Sequence, residues 1–315
     1  MPTSVIDAKA LHSEAAAYAW VEARIWPNGP ICPHCGAVDR ISKMGGKSTR
    51  IGAYKCYQCR KPFTVKVGTV FEASHVPMHY WLQAVYLMCS SKKGVSSNQL
   101  HRILGVTLKT AWFMSHRIRE AMRVIGVEPM GGAGEIVEID ETFVGKQEGQ
   151  KKGGPGRSNV AMTLVTRGGE ARSFHVDGVA NAQLLPPIIR ANISKEAFIM
   201  SDELRTYQGL GKEFWMHQTV NHSADEYVRG IVHTNTVEGY YSIFKRGMTG
   251  IYQHCSEKHL HRYLAEFDFR YSNRIRLSVD DVERTERAVK GIVGKRLTYR
   301  TTGKRAAVWQ EPTQS

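Results

Sequence analysis

Apolar and polar positions follow different rhythms along this chain, and the changes of rhythm mark its parts. In residues 1–75 the apolar runs are short, as in Tyr54-Lys55-Cys56 and Phe63-Thr64-Val65, and predict brief strands. After Pro77, which suits a helix start, apolar residues recur at three- and four-residue steps through Trp81, Leu82, Val85, Tyr86 and Met88, the period of a helix. Residues 96–104 predict a short helix capped by Ser96 or Ser97. Gly105-Val106-Thr107 then makes a turn, and Thr107 caps a longer helix over about 108–125. On that helix Leu108, Ala111, Ser115, Ile118 and Met122 share one face. Lys109, Thr110, Phe113, His116 and Arg117 share the other.

The glycines of 131–134 read as a hinge into strand territory. Residues 135–140 alternate and end in Asp140, and 160–166 and 173–176 read as neighbouring strands. Between the first two, the Gly-, Lys- and Gln-rich stretch 146–159 reads as a mobile basic loop. A helix is expected over 180–193, complicated by Pro186 and Pro187. Residues 197–201 predict a short buried strand leading to Asp202. Helical spacing then covers 236–246, 258–271 and 279–292, and 295–305 reads as a loose basic tail. Strands, helix, strand and helices in this order predict an α/β domain with a mixed sheet. The expected divisions are 1–75, 76–130, 131–275 and 276–315.

Composition adds a partner. Lys plus Arg number 43 against 29 for Asp plus Glu, a net charge of +14, which draws the chain toward a polyanion. Hydrophobic residues make up 42%, enough for packed cores. No stretch approaches a membrane-spanning run, and 1–17 lacks the apolar core of a secretory signal, so the expected location is cytoplasmic. With the turn chemistry of 96–107, the charge makes 76–130 a helix-turn-helix candidate. Its longer helix would offer Lys109, Thr110, His116 and Arg117 to a groove and to phosphates.

Cysteine usage adds a metal. Cys32-x-x-Cys35 and Cys56-x-x-Cys59 lie twenty residues apart, the spacing of a four-thiolate zinc site; Pro33 and Gly36 shape the first knuckle. Four thiolates close a tetrahedron and leave no open position, so the role is structural, in a zinc ribbon over about 26–71. Cys89 and Cys255 have no partner and are expected to be buried.

Three carboxylates carry the candidate chemistry. Asp140 ends its predicted strand, Asp202 follows an apolar one, and Glu238 sits early in a predicted helix. Carboxylates converging from such positions suit magnesium or manganese, hard cations that prefer oxygen. Glu141, Glu203, Asp225 and Glu226 are available neighbours, although Glu141 should face away from Asp140 because strand residues alternate. Lys245 stands seven positions past Glu238, two turns along the same helical face, where it can meet a phosphate. His254, His259 and His261, with Lys258 and Arg262, read as a phosphate-facing basic surface, and Tyr240, Tyr241 and Phe244 as core.

These motifs together resemble the DDE transposases of bacterial insertion sequences, in the branch with an N-terminal zinc ribbon. The resemblance covers about 20–275. It rests on the cysteine quartet, on Glu138-Ile-Asp140-Glu-Thr-Phe-Val-Gly145, on Met200-Ser-Asp202, and on His233-Thr-Asn-Thr-Val-Glu238 with Lys245 downstream. It implies an RNase H-like catalytic domain. The implied activity is cleavage of double-stranded DNA at element ends and attack of the freed 3′-hydroxyl on target DNA, by a homodimer or larger assembly on DNA. Asp140, Asp202 and Glu238 would hold magnesium or manganese, with Lys245 and Arg246 on DNA. Some relatives place an asparagine at the third acidic position, so Asn235 competes with Glu238. His233 and Asn235 otherwise orient ligands or substrate. A regulator with an inactive nuclease-like domain and an RNase H-type nuclease acting on RNA hybrids are the rival readings.

Overall fold

The computed structural model describes residues 4–126, 128–145, 159–176, 178, 181, 183–203, 205–207, 209–220 and 226–298. Helix α1 (Glu14–Ile25) opens the main part of the chain, its first turn capped by the Ser13 hydroxyl. Strands β1 (Ile41–Lys43), β2 (Tyr54–Cys56) and β3 (Pro62–Phe63) form a small antiparallel sheet in that order. Trp26 packs edge-on against Tyr54 and Phe63 and gives this sheet its core.

Three helices follow: α2 (Met78–Ser90), α3 (Ser97–Leu104) and α4 (Leu108–Met122). Ser96 caps α3 and Thr107 caps α4, each hydroxyl accepting the N–H three residues on. Gly105 ends α3 in the left-handed conformation, at φ 65°, which a glycine adopts without strain. The Glu14 carboxylate of α1 accepts the N–H groups of Met78 and His79 and so caps α2 from another helix.

The α/β part comprises β4 (Ile136–Val144), β5 (Asn159–Thr166), β6 (Ala171–Val176), α5 (Leu185–Asn192), β7 (Phe198–Ser201), β8 (Met216–Thr219), α6 (Asn235–Gly247) and α7 (Leu260–Ser272). The sheet order is β6-β5-β4-β7-β8. β4 pairs antiparallel with β5, with Asp140 opposite Thr163, and parallel with β7. Val137 and Ile139 of β4 join Leu185 and Ile189 of α5 on one face. Ala161 and Val165 of β5 join α6 and α7 on the other. By strand alternation Glu138 and Asp140 belong to the α6 side, and Glu141 to the opposite side, where it meets Tyr207.

The last helix, α8 (Asp281–Lys290), returns to the N-terminal helices: Ala288, Val289 and Ile292 share a buried cluster with residues of α2 and α4. Between the helices and the α/β part lies a charged contact buried on both sides. Arg119 of α4 donates to Glu266 of α7 at 2.7 Å, Arg270 donates to the same carboxylate, and Tyr252 donates to it at 2.6 Å.

Several expectations change. β4 continues past Asp140 to Val144, because β5 pairs with it as far as Asn159, so Asp140 lies within the strand rather than at its end. β8 (Met216-His-Gln-Thr) has no apolar alternation to announce it and exists because β7 lends it a parallel edge. α5 begins only at Leu185, since prolines are tolerated in the first turn and not before a continuing helix. Lys295 donates to the Ala121 carbonyl at 2.9 Å, so the start of the expected loose tail is docked on the end of α4. The expected loop at 146–158, residues 299–315 and Asp225 lie outside the described residues.

Candidate active site and metal centre

The cysteine knuckles converge. The four sulfur atoms of Cys32, Cys35, Cys56 and Cys59 all lie within 4.8 Å of one another. Cys32 Sγ and Cys59 Sγ are 3.7 Å apart, as are Cys35 Sγ and Cys56 Sγ. Zinc–sulfur bonds of about 2.3 Å in a tetrahedron require sulfur pairs about 3.8 Å apart, so two of the pairs already stand at that spacing and the quartet suits a zinc ion. None of the four is in a disulfide. Cys89 is buried and Cys255 half-buried.

The acidic candidates gather around Asp140. Its carboxyl is raised to about 7, first by burial and then by the negative charges of Glu141, Asp202 and Glu238. Three chain segments therefore carry like charges that act on one half-buried carboxylate. Such repulsion favours a bound cation, and the oxygen-only donor set suits magnesium or manganese. Glu141 is raised by its own burial, and Tyr207 donates to it from the α5 side. Asp202 begins the segment after β7 and is half-buried.

Glu238 stands in the first turn of α6, exposed, with the Thr234 hydroxyl donating to its carboxylate at 2.9 Å. Asn235 is the first residue of the same helix and is also exposed, so the two share a face. Two turns on, the Lys245 ammonium sits 5.9 Å from the centre of the Tyr241 ring. The Tyr241 hydroxyl lies 2.7 Å from the Asp140 carbonyl oxygen and 3.1 Å from that of Ala161, pinning α6 onto β4 and β5. Tyr240, Tyr241 and Phe244 are buried in the core beneath.

Three further residues shape the site without having been singled out as site candidates from the sequence. Glu138 is fully buried on β4 and grips the start of α6, Arg167 pairs with it at 2.6 Å, and Tyr207 holds Glu141. A usable signal did exist for Glu138, an acidic residue between Val137 and Ile139 in a strand covered on both faces.

The candidate DNA contacts divide. Lys109, Lys245 and Arg246 are exposed and Thr110 is half-buried. His116 and Arg117 are not on an exposed face, which corrects the expectation for both. His116 is 1% exposed, stacked among Trp112, His259 and Tyr263. Arg117 is 5% exposed and donates to the backbone carbonyls of Glu72 and Leu297. Both are covered because α7 and the chain after α8 pack over a helix expected to have an open side.

Residues 132–272 match the ISXO2-like transposase domain, and residues 12–62 match the transposase zinc-ribbon domain. The chain thus carries the two domains of an insertion-sequence transposase with an N-terminal zinc ribbon. The transposase is also similar to a protein of the transposable element ISH50 in Halobacterium salinarum, with 28% identity over 263 residues, covering 78% of this chain and 86% of the relative. The matched transposase domain spans Asp140, Asp202 and Glu238, and the matched ribbon region spans all four clustered cysteines. No helix among the described residues is long and apolar enough to cross a membrane.

Proposed function

We propose that the transposase cuts and joins DNA with a cation-dependent site of Asp140, Asp202 and Glu238, on an RNase H-like sheet. The observation that carries this reading is the half-buried Asp140 carboxyl, raised first by desolvation and then by charges from β4, from the segment after β7 and from α6. The sheet order supports the fold assignment: three antiparallel strands, β6, β5 and β4, continue into the parallel pair β7 and β8, with Asp140 on the central strand. Held by these three carboxylates, magnesium or manganese would supply positive charge to a scissile phosphodiester and lower the pKa of an attacking oxygen.

The chain's own residues supply position. Glu238, not Asn235, is the third ligand in this reading, because it brings an anionic oxygen and its charge acts on Asp140. Lys245 and Arg246 face DNA phosphate along α6. Cleavage adds water across a phosphodiester bond and leaves a 3′-hydroxyl. That hydroxyl then attacks a target phosphodiester and displaces another 3′-oxygen, so one bond forms as one breaks. Joining two ends calls for two or more copies on DNA.

The pair α3 and α4 acts in this reading as a helix-turn-helix, meeting DNA through Lys109 and Thr110. A cavity of about 890 Å³ beside it, lined by Arg102, Lys109, Trp112 and His254 among others, offers cations and an aromatic ring with no carboxylate in its lining. The functional divisions are 1–75, 76–130, 131–275 and 276–315.

The test is strand cleavage of element-end DNA with magnesium. Asp140→Asn abolishes it, by at least about a thousandfold, and leaves DNA affinity within twofold; full activity in that variant overturns the proposal. Full activity in Glu238→Gln with loss in Asn235→Ala transfers the third position to Asn235.

A further inference from the structure

Glu138 lies two residues before Asp140 on the same face of β4, yet nothing in the reaction outlined above uses it. It has no solvent exposure. A buried carboxylate is strongly disfavoured unless its oxygens are satisfied, and these are satisfied by the start of α6 and by Arg167. The backbone N–H of Thr236 donates to Glu138 Oε2 at 2.7 Å and that of Val237 at 3.0 Å. The Thr236 hydroxyl donates to Oε1 at 2.7 Å. Arg167 donates from Nε to Oε1 at 2.6 Å, and its other nitrogens reach the carbonyl oxygens of Ile231, at 2.7 Å, and His233, at 2.9 Å. Glu138 thus caps α6 from a neighbouring strand, and Arg167 clamps the chain that leads into the helix.

The geometry follows from chain spacing. Asp140 and Glu138 stand on one strand, about 7 Å apart along it. Glu238 stands one position past Val237, whose N–H Glu138 holds. One side chain therefore ties the strand bearing the first carboxylate to the helix bearing the third, one residue from the latter. An anion at a helix N-terminus also meets the positive end of the helix dipole. Glu238 itself is exposed, and the Thr234 hydroxyl that donates to it at 2.9 Å belongs to the same helix start, so the seating of that start helps to place its carboxylate.

We infer that Glu138, with Arg167 and Thr236, is a positioning latch that sets the third carboxylate against Asp140 and so fixes cation affinity. The inference rests on Glu238 as the third ligand. Residues that orient metal ligands typically change metal affinity by about 10- to 100-fold when replaced. Glu138→Gln keeps the volume and loses the charge, and Thr236→Val removes a single hydrogen bond.

The experiment titrates Mn2+ into the full chain without DNA and follows free Mn2+ by electron paramagnetic resonance. It is repeated on both variants and on Glu238→Gln, with near-ultraviolet circular dichroism as the check on folding. Expected is a rise in the Mn2+ dissociation constant of about tenfold or more for Glu138→Gln, and a smaller rise for Thr236→Val. In cleavage assays excess Mn2+ then restores a large part of the Glu138→Gln rate, and DNA affinity stays within twofold. Wild-type Mn2+ affinity in a folded Glu138→Gln alongside weakened binding in Glu238→Gln overturns the latch alone. If Glu138→Gln does not fold, unchanged affinity in Thr236→Val overturns it. Unchanged affinity in Glu238→Gln overturns the reading of the site beneath it.

Discussion

At the scale of single residues, burial decides what each charged side chain can do. His116 sits in a cationic setting: its imidazole is pushed down to about 2, first by desolvation and then by Arg119, His259, Arg262 and His261. Neither ring nitrogen has a hydrogen-bond partner. A pKa lowered by folding means that the unfolded chain takes up a proton the folded chain refuses. The stability this group contributes is present above pH 6.5 and is lost as the pH falls below it toward 2. The loss is about 1.4 kcal/mol per pH unit. Between pH 6.5 and 5.0, urea unfolding of the wild-type chain should therefore lose about 2 kcal/mol more than that of His116→Gln. Equal losses in the two would refute the assignment. The identity of His116 was legible in the sequence, and its burial was not, because periodicity places a residue on a helix face without saying what packs against that face.

At the scale of elements, local signals held where the physics is local. The caps Ser96 and Thr107 and the turn at Gly105 need only their own neighbours, and they stand where the sequence predicts them. The zinc ribbon is local in the same sense: its three strands contain only eight residues, and its core is a small cluster of Trp26, Tyr54, Phe63, Ala37, Ile41, Val67 and three of the cysteines. So few contacts cannot hold such a fold without its metal. A zinc chelator, or Cys56→Ser, should release one equivalent of zinc and flatten the near-ultraviolet signal of Trp26 and Tyr54, while the far-ultraviolet helical signal largely remains. An unchanged aromatic signal in metal-free protein would contradict this. Elements that depend on a distant neighbour were not legible: β8 forms against β7, and β4 extends because β5 runs beside it.

At the scale of the whole molecule, a late helix returns to the first ones. α8 fills the core of the N-terminal helices, and the Arg119–Glu266–Arg270 cluster joins those helices to the α/β part. Removing one partner of a buried ion pair strands the other charge and costs about 3–5 kcal/mol. Glu266→Gln should lower the thermal midpoint by several degrees and let the helical and α/β parts melt as separate calorimetric transitions. A single transition at the wild-type temperature would show that the cluster does not couple them.

The sequence by itself determined which residues are candidates for the chemistry. Cysteine spacing, the carboxylates with Lys245, and the caps are written in residue types and short intervals, and these survive any packing. Tertiary structure decided access and support. Only the fold shows that His116 and Arg117 are covered, that Asp140 lies inside its strand, and that Glu138 holds the helix carrying Glu238. The reason is physical. Periodicity fixes the side of an element on which a residue lies, whereas exposure, charge state and partnership depend on what the rest of the chain brings to that side.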